Sequence, residues 1–153
     1  MPSLPCVIPT GSFLLKDFQQ LCLTVSSITG GLYGQNITTA PCSDELPALP
    51  QQTWSLAPAD HSSVLVSGLS QGPSEIVLLA ESNGEAITAS TTSFEFNVTC
   101  DPGNLPQSVV LVDNRAGTWN TLTSTQAKGD TAQVIFETFR AEGEQIWSMH
   151  DLD

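Results

Sequence analysis

The segment Gln52-Thr53-Trp54-Ser55-Leu56 returns near the end of the chain as Gln145-Ile146-Trp147-Ser148-Met149, and a looser copy, Phe94-Glu95-Phe96-Asn97-Val98, lies between them. Each copy sets a large aromatic two residues before an aliphatic side chain. In a strand both then point to one face and can share a core. A second triplet opens the same units: Ser12-Phe-Leu-Leu-Lys16, Ser63-Val-Leu-Val-Ser67 and Ser108-Val-Val-Leu-Val112. Two more strand-like stretches fall inside each unit, Leu21-Cys-Leu-Thr-Val25 and Asn36-Ile-Thr-Thr-Ala-Pro41, then Glu75-Ile-Val-Leu-Leu-Ala80 and Ala86-Ile-Thr-Ala-Ser-Thr91, then Trp119-Asn-Thr-Leu-Thr123 and Gln133-Val-Ile-Phe-Glu137. The pair Ile37-Thr-Thr-Ala40 and Ile87-Thr-Ala-Ser90 is the clearest internal match.

Three units of four strands make twelve, and no single unit of about 46 residues can bury its apolar face alone. They must close together. The economical solution is a six-stranded barrel built from the first and last strand of each unit and capped by the three inner hairpins, which leaves no sheet edge exposed. The expectation is an all-β chain, a β-trefoil, with one domain over 1–153 and pseudo-repeats at about 11–57, 58–100 and 101–153. The stretch 134–144 offers helix-like offsets, but Val134, Ile135 and Phe136 favour a strand.

Composition supports a folded core and narrows the partners. The 153 residues are 40% hydrophobic and 13% charged, unlike a disordered chain. Sixteen Asp and Glu against four Lys and Arg give a net charge of −12, which repels phosphate backbones and anionic lipid surfaces. Nucleic acid is therefore not expected, and neither is membrane insertion, since apolar runs such as 76–80 and 109–112 fall far short of the roughly 20 residues that cross a bilayer. The start, Met1-Pro-Ser-Leu-Pro5, lacks the basic and apolar regions of a leader. Either the protein begins in the cytosol, or Met1 precedes a mature chain whose leader has been removed. Four cysteines and the sequons at Asn36 and Asn97 favour secretion over the cytoplasm.

The Gln-x-Trp pattern at Gln52-Thr53-Trp54 and Gln145-Ile146-Trp147 resembles that of the ricin B-type β-trefoil lectins. Cys22-Leu-Thr-Val25 is similar to that family's Cys-Leu-Asp-Val strand, Pro41-Cys42 to the end of its Trp-Pro-Cys segment, and Gly11-Ser-Phe13 to the Gly-Thr-Tyr start of fungal members. The resemblance implies a Cys22–Cys42 disulfide and binding of galactose-like sugars in a shallow pocket on each repeat. There an Asp accepts from two hydroxyls, an aromatic ring stacks on the pyranose, and an Asn or Gln completes the network. This chain departs from that pattern everywhere. The first repeat has Thr24 at the Asp position, Thr38 and Gln51 at the amide positions, and Ala40 at the stacking position. The second has Leu79, Ser90 and Phe94, and the third has Leu122 or Thr123 with Glu137. Inherited galactose binding at these positions is not expected.

Other segments carry suitable chemistry. The loop from Asp113 to Asn120 gathers Asp113, Asn114, Arg115, Trp119 and Asn120, the mixture a sugar site needs, although a polar turn with Trp119 packed inward uses the same residues. Tyr33, the one tyrosine, sits between glycines and can stack on a ligand or close over the core. The Pro-braced insertion Ser43-Asp-Glu-Leu-Pro-Ala-Leu-Pro50 can present leucines to a protein partner or seal the barrel rim. Cys6 and Cys100 hold loosely equivalent places and can pair or remain thiols. His61 and His150, the two histidines, fit neither a relay nor a metal-ligand spacing, so an enzyme, a cofactor and a metal are not expected. The lead expectation is a non-enzymatic, lectin-like protein whose partners are glycans or glycoproteins. The alternative is a protein-binding trefoil such as a protease inhibitor acting through the insertion.

Overall fold

The computed structural model describes residues 11–25, 35–43, 50–58, 63–69, 76–80, 84–89, 96–100, 108–113, 120–125, 127–138 and 143–151. Among them the chain is all β. The strands are β1 (Phe13–Lys16), β2 (Cys22–Val25), β3 (Ile37–Ala40), β4 (Trp54–Pro58), β5 (Ser63–Ser67), β6 (Val77–Ala80), β7 (Ala86–Ala89), β8 (Phe96–Cys100), β9 (Ser108–Asp113), β10 (Asn120–Ser124), β11 (Ala132–Thr138) and β12 (Trp147–Asp151). Short 3-10 turns at Pro50–Gln52 and Gly143–Gln145 lead into β4 and β12. Each expected strand has its counterpart, and of the stretch 134–144 the residues 134–138 belong to β11 and 143–144 to the second 3-10 turn, with 139–142 outside the described residues.

The pairings close a ring. β1 pairs β4, β4 pairs β5, β5 pairs β8, β8 pairs β9, β9 pairs β12, and β12 returns to β1. Within each unit the inner strands pair as hairpins, β2 with β3, β6 with β7 and β10 with β11. The expected division into a six-stranded barrel and a separate cap needs correcting. Pairings of β1 with β2, β3 with β11 and β10 with β9 close a second circuit of seven strands, β1-β2-β3-β11-β10-β9-β12, so the first and third hairpins continue the barrel wall. Continuing the ladder satisfies backbone groups that a detached hairpin would leave open.

Register aligns the three units residue by residue. Opposite the aromatics lie Phe13 (Trp54), Ser63 (Phe96) and Val109 (Trp147), and the turn into each hairpin pairs Lys16 with Cys22, Val66 with Val77 and Val112 with Thr121. The hairpins then pair Cys22 with Ala40, Val77 with Ala89 and Thr121 with Glu137. The clearest match in the sequence is thus one residue out of register: Ile37 corresponds to Ala86 and Val134, not to Ile87. Burial agrees, since Ile37, Ala86 and Val134 are 2%, 2% and 1% exposed while Ile87 is only half-buried. With a side-chain period of two, that slip reverses every face.

Inside the wall, Phe13, Leu15, Leu23, Leu65, Leu111, Leu122 and Met149 pack around Trp54 and Trp147, both fully buried, with Leu56 and Val98 against the cluster. The side chain of Phe96 lies outside the described residues. A polar pin that the sequence did not announce holds the first turn. Asp17, 2% exposed, accepts from the backbone N–H groups of Gln19 (2.8 Å) and Leu21 (3.0 Å) and from the Ser124 hydroxyl of the third repeat. Gln19 donates to the Thr125 carbonyl at 3.1 Å and accepts from the Ala127 N–H at 2.8 Å. The turn passes through Gln20 at φ 66°, and these bonds offset the strain of that conformation.

Candidate functional site

The two intact Gln-x-Trp segments build the same structure twice. Each glutamine ends a 3-10 turn and is buried, and each tryptophan starts the next strand. The Trp54 indole donates to the Leu23 carbonyl at 2.9 Å and that of Trp147 to the Leu122 carbonyl at 3.0 Å. Gln52 donates to the Thr24 hydroxyl at 3.2 Å and the Pro41 carbonyl at 2.9 Å, while Gln145 donates to the Thr123 hydroxyl at 3.3 Å and the Thr138 carbonyl at 2.9 Å. The threonines pass the chain on, each hydroxyl donating at 2.8 Å to the carbonyl two residues earlier, of Cys22 or Thr121. A carboxamide suits this place because its NH2 group can donate at once to a hydroxyl on one strand of the hairpin and to a carbonyl at the end of the other.

This lock consumes the group at the family's Asp position. Thr24 is 8% exposed and Thr123 1%, and each hydroxyl already accepts from its glutamine. The equivalence settles the third repeat on Thr123 rather than Leu122. Register moves the stacking position of the second repeat from Ser90 to Ala89 and leaves it at Ala40 and Glu137 in the others. The position of Thr38 corresponds to Ile87 and Ile135, neither of which offers a polar group. No described repeat therefore assembles a carboxylate, a ring and an amide on one surface.

The disulfide that the resemblance implied is formed. Cys22 and Cys42 are bridged with their Cα atoms 5.1 Å apart at a sequence separation of 20, joining the start of β2 to the segment after β3. Of the other sites expected from sequence, Asp113 ends β9 and the half-buried Asn120 begins β10, and the Thr121–Val112 pairing sets these two ends side by side. Asn114, Arg115, Trp119 and Tyr33 lie outside the described residues, as do Cys6, His61 and the side chains of Asp113, Asn97 and Cys100. Asn36 is exposed beside β3, bridged through its backbone to Ile87. Ser43, at the base of the Pro-braced insertion, donates its backbone N–H to Gln52 at 2.9 Å, and residues 44–49 lie outside the described residues. His150 is exposed on β12, and its pKa falls below the ordinary value, first through partial burial and then through the Lys16 charge nearby.

No protein-family model matches the sequence, and no curated protein does. Solved structures do match. A designed 3-fold symmetric protein, ThreeFoil, is similar with TM-score 0.73 at 19% identity, over 92% of this chain and 99% of that one. A Macrolepiota procera ricin B-like lectin in complex with lactose is similar with TM-score 0.71 at 14% identity, over 96% and 99%. A proteinase inhibitor from Coprinopsis cinerea is similar with TM-score 0.73 at 12% identity, over 94% and 99%. At such identities the likeness is one of architecture, and with the threefold register above it establishes that the chain has the β-trefoil fold.

Proposed function

We propose that this chain is a non-enzymatic glycan-recognition protein, lectin-like in framework, whose binding has moved from the family's pockets to the loop between Asp113 and Asn120. The observation that carries the reading is the twofold Gln–Trp lock, kept while the residues that would grip a sugar beside it are replaced. The side-by-side ends of β9 and β10 give the loop a fixed base, and Asp113, Asn114, Arg115, Trp119 and Asn120 supply its acceptors, donors and ring. Tyr33 is a second ring on which a sugar can stack. A single shallow pocket of this kind binds near the millimolar range, so useful affinity comes from repeated epitopes. The Cys22–Cys42 bridge accords with secretion into an oxidising, glycosylating route, and the sequon asparagine Asn36 is exposed. A glycan array tests the reading: binding that survives alanine substitution across 43–50 and fails on Trp119→Ala supports it, and an array with no binding refutes it.

One observation favours a second reading. The insertion 43–50 is anchored at its base by the Ser43–Gln52 hydrogen bond, and a loop held on a rigid stem is how a protease inhibitor presents itself to its target. The similarity to a proteinase inhibitor agrees with this. Tight inhibition of a protease, lost when the insertion is cleaved, would select this reading over the first.

A further inference from the structure

The three inner hairpins meet around the pseudo-threefold axis, and their meeting leaves a well. β3 pairs β11 directly, while Asn36 bridges Ile87 and Glu85 bridges Ile135, so the beginnings of β3, β7 and β11 touch in a cycle. The contacts repeat: the Thr88 N–H donates to the Gln35 carbonyl at 2.9 Å and the Phe136 N–H to the Gly84 carbonyl at 2.7 Å. Gly84 takes φ 90°, and a Cβ there would stand 3.1 Å from the Phe136 carbonyl oxygen, so this close approach requires glycine. A cavity of about 220 Å³ occupies the centre.

Its composition follows from the register. The lining takes one apolar residue from each repeat, Ile37, Ala86 and Val134, the residue before each of them, Asn36, Glu85 and Gln133, and Thr38 from the first repeat alone. The first set belongs to the core. Two of the three are branched and the third is alanine, and that missing volume opens the well on the side of the second repeat. Of the second set, two are neutral amides and one is a carboxylate, the single formal charge in the lining.

We propose that this axial well is a binding site for a small organic cation, a protonated amine on a compact body of about the size of a monosaccharide. The space is several times the roughly 30 Å³ share of a water molecule and its floor is apolar, so it has room for a molecular body rather than a bare ion. It suits a molecule with one apolar face. The Glu85 carboxylate accepts from an ammonium group, the oxygens of Asn36 and Gln133 add acceptors for its remaining hydrogens, and their NH2 groups serve neighbouring hydroxyls. A chain of net charge −12 attracts cations and repels anions, which sets the sign of the ligand. The site is independent of the loop at 113–120.

The test is titration of the unglycosylated, disulfide-intact protein with glucosamine at about pH 6, where an amine of this kind is charged, beside N-acetylglucosamine, which has the same ring without the charge. Saturable glucosamine binding with a dissociation constant of about 1 mM, at least tenfold stronger than for N-acetylglucosamine, is expected. Backbone amide shifts should map to Glu85, Ala86 and Gln133. Ala86→Val, which gives the second repeat the bulk that the others carry, should abolish binding while leaving the melting temperature equal or higher. Glu85→Gln, a change at the half-buried rim, should weaken glucosamine at least tenfold and leave N-acetylglucosamine unchanged. Equal binding of the two sugars, undiminished binding in either variant, or no binding to the parent protein overturns the proposal. So do shifts confined to residues 113–120, an outcome that would leave the glycan reading standing.

Discussion

The first and third repeats use one backbone plan with two different chemistries at its centre. Both lock a glutamine onto a threonine and a tryptophan onto a carbonyl, within 0.1 Å of each other in every equivalent hydrogen bond. They differ at the residue two before that threonine. In the first repeat it is Cys22, fully buried and cross-linked to Cys42. In the third it is Thr121, equally buried, whose hydroxyl has no hydrogen-bond partner among the described residues. The same place thus strengthens one repeat and weakens the other. The first and third repeats share the lock, and the residue beneath it varies.

Substitutions can break that comparison in order of size. Trp147→Ala and Trp54→Ala each remove a fully buried indole and its hydrogen bond, and a cost of about 3–5 kcal/mol is expected for either, read by denaturant unfolding. If the locks are equivalent, the two values agree. A large inequality would show that one repeat carries the barrel. Replacing both Cys22 and Cys42 by alanine opens a loop of 20 residues and should cost about 3 kcal/mol by the chain-entropy relation. Under reducing agent the parent protein and the double variant should converge in stability, and any difference that remains is the packing lost with the two sulfurs.

Thr121→Val tests the weak side. It exchanges a buried, unpartnered hydroxyl for a methyl group of similar shape, and a gain of about 1 kcal/mol is expected. A loss would mean that the hydroxyl is satisfied after all. The smallest effect belongs to His150. Its lowered pKa means that the unfolded chain binds the proton more readily, so stability is complete above the unfolded value of 6.5 and declines as pH falls from there through the folded value. The decline should be slight and should vanish in His150→Gln, as followed by melting temperature between pH 7 and pH 5.

The twelve strands were legible because each is short, bounded by glycine, proline or polar residues, and built of β-branched and aliphatic side chains, features that act locally. The threefold closure was legible because a unit that cannot bury its own face must repeat and close. The slip at Ile87 was not. Strings of threonine and alanine look alike in either register, and only the partner strand decides which residue faces inward, as it does when Ala86 takes the place of Ile37. The Asp17 pin was equally hidden, since its partner Ser124 is 107 residues away. For the loop 113–120, composition is the evidence, and the structure contributes its paired base.

By itself, then, the sequence determined the strands, the triplication, the buried tryptophans and the acidity that turns away polyanions, because propensity, periodicity and charge are properties of neighbours along the chain. Tertiary structure alone decided the register of the second repeat, the consumption of Thr24 and Thr123 by the glutamine locks, and the axial well beside Ala86. Those depend on side chains brought together from different repeats, and a face or a void exists only once its other walls are in place.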